Sequence, residues 1–256
     1  MLAILEEGKA NNYIDAVKAE FEAEGTRVDE LLRLLEVTRR AGLKVALKIG
    51  GCEAIRDLIE CRQFGVDYII APMVETPYAL MKYAAARDKV FDEEEINDIG
   101  FLFNVETVST YKNLAEMSTI AGRKKLGMVF GRVDFAGSLG KDRDFVNHDE
   151  MMAYVATVAE SAKEQGVDLV VGGGVSADSI PALTRLRTIK LNRFETRKVI
   201  FNAAVLESGQ VARGLELAIE FELLWLKNKR DYYATISSED NARIDMMEAR
   251  QKLKAA

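Results

Sequence analysis

The chain has 256 residues, a length that one α/β barrel domain fills, with 48% hydrophobic and 30% charged residues, enough for a sizeable core under a solvated surface. The formal net charge is −6, and neither a basic surplus nor a basic face is present, which argues against a nucleic-acid partner. No apolar run reaches the roughly 18 residues of a membrane span, so a membrane is not an expected partner either.

From the N-terminus, MLAILEEGKANN carries acidic residues where a signal peptide needs a positive segment. Apolar and amphipathic runs then alternate. Strands are expected over Ala16–Ala23, Lys44–Ile49, Tyr68–Met73, Gly100–Glu106, Leu126–Phe130, Asp168–Gly172 and Thr188–Ile200. Helices are expected between them, over Val28–Ala41, Cys52–Phe64, Pro77–Arg87, Val108–Ala121, Asp149–Gln165 and Ala177–Leu186. Joints such as AGLKV, FGVDY and QGVDL use Gly to stop a helix before a strand. Such alternation means βαβ units and a parallel sheet. Seven strands are read in this way. An eighth is expected near the N-terminus or inside Thr188–Ile200. Residues 202–256 read as a C-terminal helical extension: a helix over Gly209–Lys227, a polar break at Ser237-Ser238-Glu239-Asp240, then a charged helix packing on the barrel or on a second copy of the chain. The expected architecture is a single (β/α)8 TIM barrel over residues 1–256. An open doubly wound sheet is the alternative, and it lacks a glycine-rich fingerprint after the first strand. Cys52 and Cys61 lack zinc-ligand spacing and are expected to stay unpaired, which places the chain in the cytoplasm.

Strand side chains alternate between faces, and the outer face of a helix-wrapped sheet must be apolar. Val17, Ala19 and Phe21 therefore face out, and Lys18, Glu20 and Glu22 face into the barrel. By the same parity Lys48, Asn104 and Glu106 point inward, and Arg193, Glu195 and Arg197 share one face. Charges converging near the C-terminal strand ends mark the place where barrels carry catalysis. A buried salt-bridge network such as Lys18–Glu20–Arg197 is the other reading.

Glu106 closes one strand and Asp134 follows the next, in Gly131-Arg132-Val133-Asp134. Two carboxylates with few Cys or His nearby suit a hard cation, Mg²⁺ or Mn²⁺, completed by substrate oxygens and water. Acidic residues are also favoured at helix N-termini by the helix dipole. Gly172-Gly173-Gly174-Val175-Ser176 follows a strand and opens a helix. Its amides at Gly173 and Gly174 are candidates to cradle a carboxylate or phosphate, and a tight turn is the alternative. Arg132, Arg193 and Arg197 are candidate substrate clamps, with structural ion pairs as the alternative. His148, the only His, reads as a surface residue near a helix start.

VALKIGG at 45–51, VDYIIAPMVET at 66–76, FLFNVET at 101–107 and GMVFGRVDFAGSLG at 127–140 occur in one order and spacing. In both, the chain resembles the HpcH/HpaI aldolase and citrate lyase β-subunit superfamily, well over residues 45–140 and loosely over the flanks. The resemblance implies a (β/α)8 barrel binding a 2-oxo acid through a divalent metal, with Glu106 and Asp134 as ligands. Lys48 stands where that family usually has Arg against the keto oxygen, and a lysine keeps the charge without the planar fork. Family aldolases often have a proton-transferring His after an early strand. This chain has none there, and Glu22 is the candidate for its place.

The expected function is a metal-dependent carbon–carbon lyase of class II aldolase type, a homo-oligomer through its C-terminal helices, forming or cleaving a 2-oxo acid through a pyruvate enolate. A citrate-lyase-β-type lyase acting on an acyl thioester, Schiff-base chemistry at Lys48 or Lys18, and an altered barrel that only binds a small carboxylate remain open.

Overall fold

The computed structural model describes residues 1–11 and 13–255. Eight strands close a barrel in chain order: β1 (Ile14–Glu20), β2 (Lys44–Lys48), β3 (Tyr68–Ala71), β4 (Gly100–Val105), β5 (Gly127–Gly131), β6 (Leu169–Gly172), β7 (Arg193–Glu195) and β8 (Val199–Asn202). Helix α1 (Leu2–Ala10) precedes them. Successive connections hold α2 (Val28–Arg40), α3 (Ile55–Phe64), α4 (Pro77–Val90) with α5 (Glu93–Asp98), α6 (Val108–Lys112) with α7 (Leu114–Lys124), α8 (Arg132–Ser138) with α9 (Asp149–Glu164), and α10 (Ile180–Arg187). A long helix, α11 (Val211–Ala255), follows the last strand.

The expected barrel is present, with one departure. Strands β1 to β7 pair in parallel, whereas β8 is antiparallel to both β7 and β1. The stretch Thr188–Ile200 is not one strand but holds β7 and the start of β8, joined by the turn at Thr196-Arg197-Lys198. A turn that short has no room for a crossover helix, so the chain must double back. The eighth strand was therefore inside that stretch, and the N-terminal segment is helical instead. Two strands also end earlier than their apolar runs, β1 at Glu20 and β3 at Ala71.

Alternation decides what each face buries. Val17, Val45, Leu47, Phe101, Phe103 and Phe130 belong to the large core between sheet and helices. Ala16, Ala46, Ile70, Leu102, Val129, Val170 and Ile200 form a separate apolar plug inside the barrel. Below the plug, at the N-terminal strand ends, Arg193 pairs with Asp168 at 2.6 Å and lies over the Tyr68 ring. Above it the interior turns polar.

The expected break at residues 237–240 does not occur, and α11 is continuous. No Gly or Pro follows Gly214, and Ser, Glu and Asp alone do not stop a helix. Its first half buries Leu217, Phe221 and Trp225, while residues 234–252 are almost wholly exposed. Among the described residues no helix is long and apolar enough to cross a membrane.

Candidate active site

Strand β4 ends at Val105, and Glu106 follows it directly before Thr107, which caps the next helix with its side chain accepting the Thr110 N–H. Glu106 is thus the last inward residue, and it is only 1% exposed. Its Oε1 accepts the Met73 N–H at 2.9 Å, and its Oε2 accepts from Asn104 Nδ2 at 2.6 Å. Met73 adopts a φ of +49°, a left-handed conformation that costs a non-glycine residue of order 1 kcal/mol or more. That backbone turn follows Pro72 and presents the amide to the carboxylate.

Asp134 stands in the first turn of α8, directly after β5, and is exposed. Burial pushes the Glu106 carboxyl above its ordinary range, and repulsion from Asp134 adds to the shift. Lys48, the Met73 amide and Asn104 oppose it without cancelling it. The Lys48 ammonium lies 3.1 Å from Glu22 and 3.9 Å from Glu106. Burial works against its charge, but the surrounding carboxylates, Glu106 foremost, outweigh that and raise its pKa.

The inward face of β1 behaves as its alternation predicts. Lys18 and Glu20 are buried, and the Lys18 ammonium reaches Glu195 at 2.5 Å and Glu20 at 3.3 Å. Burial opposes the Lys18 charge too, yet Glu195 and Glu20 hold its pKa well above the ordinary lysine value. Schiff-base formation needs a neutral amine, and the carboxylates around Lys18 and Lys48, the two candidates, favour their charged forms. The network is not the expected Lys18–Glu20–Arg197. Arg197 sits on the rim and pairs with Glu24 at 3.0 Å, and Lys198 meets the same carboxylate.

The other candidates separate. Arg193 lies at the opposite end of the barrel, so it cannot clamp a substrate at the mouth. Arg132 is 0% exposed and donates to Gly172 O, Val146 O, Asn147 Oδ1 and Ser179 Oγ. With no carboxylate partner, burial lowers its pKa to about 10. It ties the loop at 142–148 to the one at 173–179, with four of its five donors spent there. Gly173 and Gly174 have φ of +79° and +67°. A Cβ on Gly173 would lie 2.6 Å from Val133 N and 2.7 Å from Arg132 N, so the glycine turn seats directly on the start of α8. His148 is exposed at the N-cap of α9, against the Phe145 ring. Cys52 and Cys61 are both free.

Sequence reasoning missed two contributors to the Glu106 carboxylate, the Met73 amide and Asn104. Asn104 carried a signal in its inward parity two residues before Glu106. The amide carried only its place in the Pro72-Met73-Val74-Glu75 motif.

Among the described residues no group of three or more His, Cys, Asp and Glu is placed to hold a metal. A metal at the mouth would therefore use Glu106 and Asp134 with the remainder from water or substrate, the pattern of Mg²⁺ and Mn²⁺. The donor set fits. Glu106 is buried, fixed at both oxygens, incompletely neutralised and beside a second carboxylate, and the nearby buried Asn104 Oδ1 has no hydrogen-bond partner among the described residues.

A search of curated proteins returned no match. Solved structures show the same fold. An HpcH/HpaI aldolase from Desulfitobacterium hafniense DCB-2 superposes with a TM-score of 0.62 at 15% identity, covering 84% of this chain and 86% of its own. An HpcH/HpaI aldolase/citrate lyase family protein from Burkholderia cenocepacia J2315 gives 0.60 at 13% identity, covering 86% and 91%. A variant of the citrate synthase SbnG gives 0.58 at 15% identity, covering 88% and 90%. The sequence model of one family matches residues 14–184, from the first barrel strand into α10. The chain belongs to the HpcH/HpaI aldolase/citrate lyase family.

Proposed function

We propose that this protein is a divalent-metal-dependent carbon–carbon lyase of class II aldolase type, releasing pyruvate from a 4-hydroxy-2-oxo acid or running the reverse condensation. The observation that carries the reading is the Glu106 carboxylate, buried, held by an amide and an asparagine, and set beside Asp134 at the strand ends. Glu106 and Asp134 would hold Mg²⁺ or Mn²⁺. The ion's contribution is to polarise the 2-oxo acid's oxygens and stabilise negative charge.

The chain's own groups do the rest. Lys48, kept protonated by its carboxylate neighbours, supplies positive charge toward the enolate oxygen. Glu22, the sequence-based candidate for proton transfer, is tied to that ammonium, so we assign it the orientation of Lys48. The amides of Gly173 and Gly174 are our candidates for an anionic substrate end, with Arg197 as a rim contact that must first leave Glu24. Arg132 supports the loops that carry these groups. We assign the protein to the cytoplasm and read the exposed half of α11 as the contact to a second copy of this chain.

The test is pyruvate release from a panel of 4-hydroxy-2-oxo acids, with and without Mg²⁺ or Mn²⁺, for wild type, Glu106→Gln and Asp134→Asn. Metal-dependent release lost in both variants supports the reading. Absence of release with metal still bound at these carboxylates turns the assignment to acyl-thioester cleavage or to a binding role. Absence of metal binding removes the site.

A further inference from the structure

The lyase reading leaves Glu195 unused. It is the last residue of β7, 6% exposed, and its Oε1 takes the Lys18 ammonium at 2.5 Å. Its Oε2 is buried and has no hydrogen-bond partner among the described residues. An orphaned carboxylate oxygen in a buried setting is costly unless something arrives to use it.

Two adjacent glycines show where this side chain lies. Gly131 and Gly172 are register partners at the ends of β5 and β6. A Cβ on Gly131 would come within 2.9 Å of Glu106 Oε2, and one on Gly172 within 2.9 Å of Glu195 Cγ and 3.1 Å of Glu195 Oε1. The two glutamates therefore lie over neighbouring strands on the same floor, one reaching over β5 from β4 and the other over β6 from β7. Of the other carboxylates at this end, Glu20 pairs with Lys18, and Glu24 with Arg197 and Lys198. Glu22 Oε2 is also buried without a hydrogen bond, but it is the oxygen that faces the Lys48 ammonium at 3.1 Å, whereas Lys18 holds Oε1 of Glu195 and leaves Oε2 over. The only His lies exposed at the N-cap of α9.

We propose that Glu195 is the proton-transfer residue, with Lys18 as the positioning residue that fixes it. This rests on the lyase reading above. In the cleavage direction Glu195 Oε2 takes the proton of the substrate's C4 hydroxyl. The O–H electron pair becomes the aldehyde C=O, the C3–C4 bond breaks, and its electron pair stays with the 2-oxo acid as the enolate. Glu195 then returns the proton to C3, giving the methyl group of pyruvate. One proton is taken and one returned, and no oxidant or co-reactant is needed. Condensation is the same sequence reversed.

The test separates this role from metal binding and from the lyase reading. Exchange of the pyruvate methyl protons with D2O is followed by NMR in the presence of Mg²⁺, and Mg²⁺ affinity is measured by calorimetry. Glu195→Gln is expected to slow exchange about 100-fold or more, the scale of lost general acid–base catalysis, with Mg²⁺ affinity within about threefold of wild type. Glu195→Asp is expected to fall between. Exchange by Glu195→Gln at a near wild-type rate overturns the assignment of Glu195 alone. Wild type that binds Mg²⁺ and pyruvate yet exchanges nothing overturns the lyase reading and this role together. If Glu195→Gln does not fold, the Lys18→Met/Glu195→Gln pair, which removes the ammonium as well as the carboxylate, gives the same readout.

Discussion

Gly173→Ala measures how tightly the glycine turn holds the end of α8 that carries Asp134, the second ligand of the proposed metal site. Two costs add at this position. The φ of +79° is left-handed, which for an L-residue costs about 1–2 kcal/mol. The new Cβ would also stand 2.6 Å from Val133 N and 2.7 Å from Arg132 N, both backbone atoms that no side-chain rotation can move. Overpacking of that kind costs typically about 1–3 kcal/mol, so the total is roughly 2–5 kcal/mol. Gly140→Ala is the matched control, with a φ of +70° and nothing within 4 Å of the added carbon. It should show the backbone cost alone. At about 2–4 °C per kcal/mol for a domain of this size, Gly173→Ala should lower Tm by roughly 4–20 °C and Gly140→Ala by roughly 2–8 °C. Because the displaced backbone leads into Asp134, Mg²⁺ affinity by calorimetry should fall about tenfold or more in Gly173→Ala and stay unchanged in Gly140→Ala. Tenfold corresponds to about 1.4 kcal/mol. Equal melting shifts for the two variants, or wild-type Mg²⁺ affinity in Gly173→Ala, would refute the packing argument.

Burial works against the Glu20 charge, but Lys18 and Lys48 hold its carboxyl below the ordinary carboxylate range. Its stabilising contribution is therefore complete above the unfolded value of about 4.3 and is lost as pH falls through the depressed folded value. Urea midpoints measured from pH 6 to pH 3 should drop less steeply for Glu20→Gln than for wild type, and identical slopes would remove Glu20 from the acid response. Arg132→Lys keeps a buried charge but loses the fork that reaches Gly172, Val146, Asn147 and Ser179. Hydrogen exchange should quicken over residues 142–148 and 173–179, and unchanged protection there would show that Arg132 does not join the two loops. Removing residues 234–256 takes away the exposed half of α11 while leaving Leu217, Phe221 and Trp225 in place. Sedimentation should show a smaller assembly with little change in Tm, and an unchanged mass would exclude this segment as the contact between copies.

Much of the barrel was legible in the chain because period-2 alternation is a local property. Val17 and Ala19 outward with Lys18 and Glu20 inward follows from strand geometry once a helix-wrapped sheet is granted. The same parity put Lys48, Asn104 and Glu106 inside. Boundaries were less legible: residues 21–23 continue the β1 alternation in sequence but bend away after one more backbone bond, Phe21 N–H to Lys48 O, and the polar run at 237–240 stays helical for want of a Gly or Pro.

By itself, then, the sequence determined the repeating strand and helix pattern, the inward charges and the motifs that mark the family. Tertiary structure alone decided which charges meet. Lys18 takes Glu195 as well as Glu20, Arg197 takes Glu24 rather than Glu20, Arg193 falls at the far end of the barrel, and Arg132 turns away into the loops. The physical reason is that parity fixes the face a side chain leaves from, whereas its partner depends on barrel closure. The hairpin that sends β8 back antiparallel brings Glu195 and Lys198 against β1, and no local period in the sequence carries that distance.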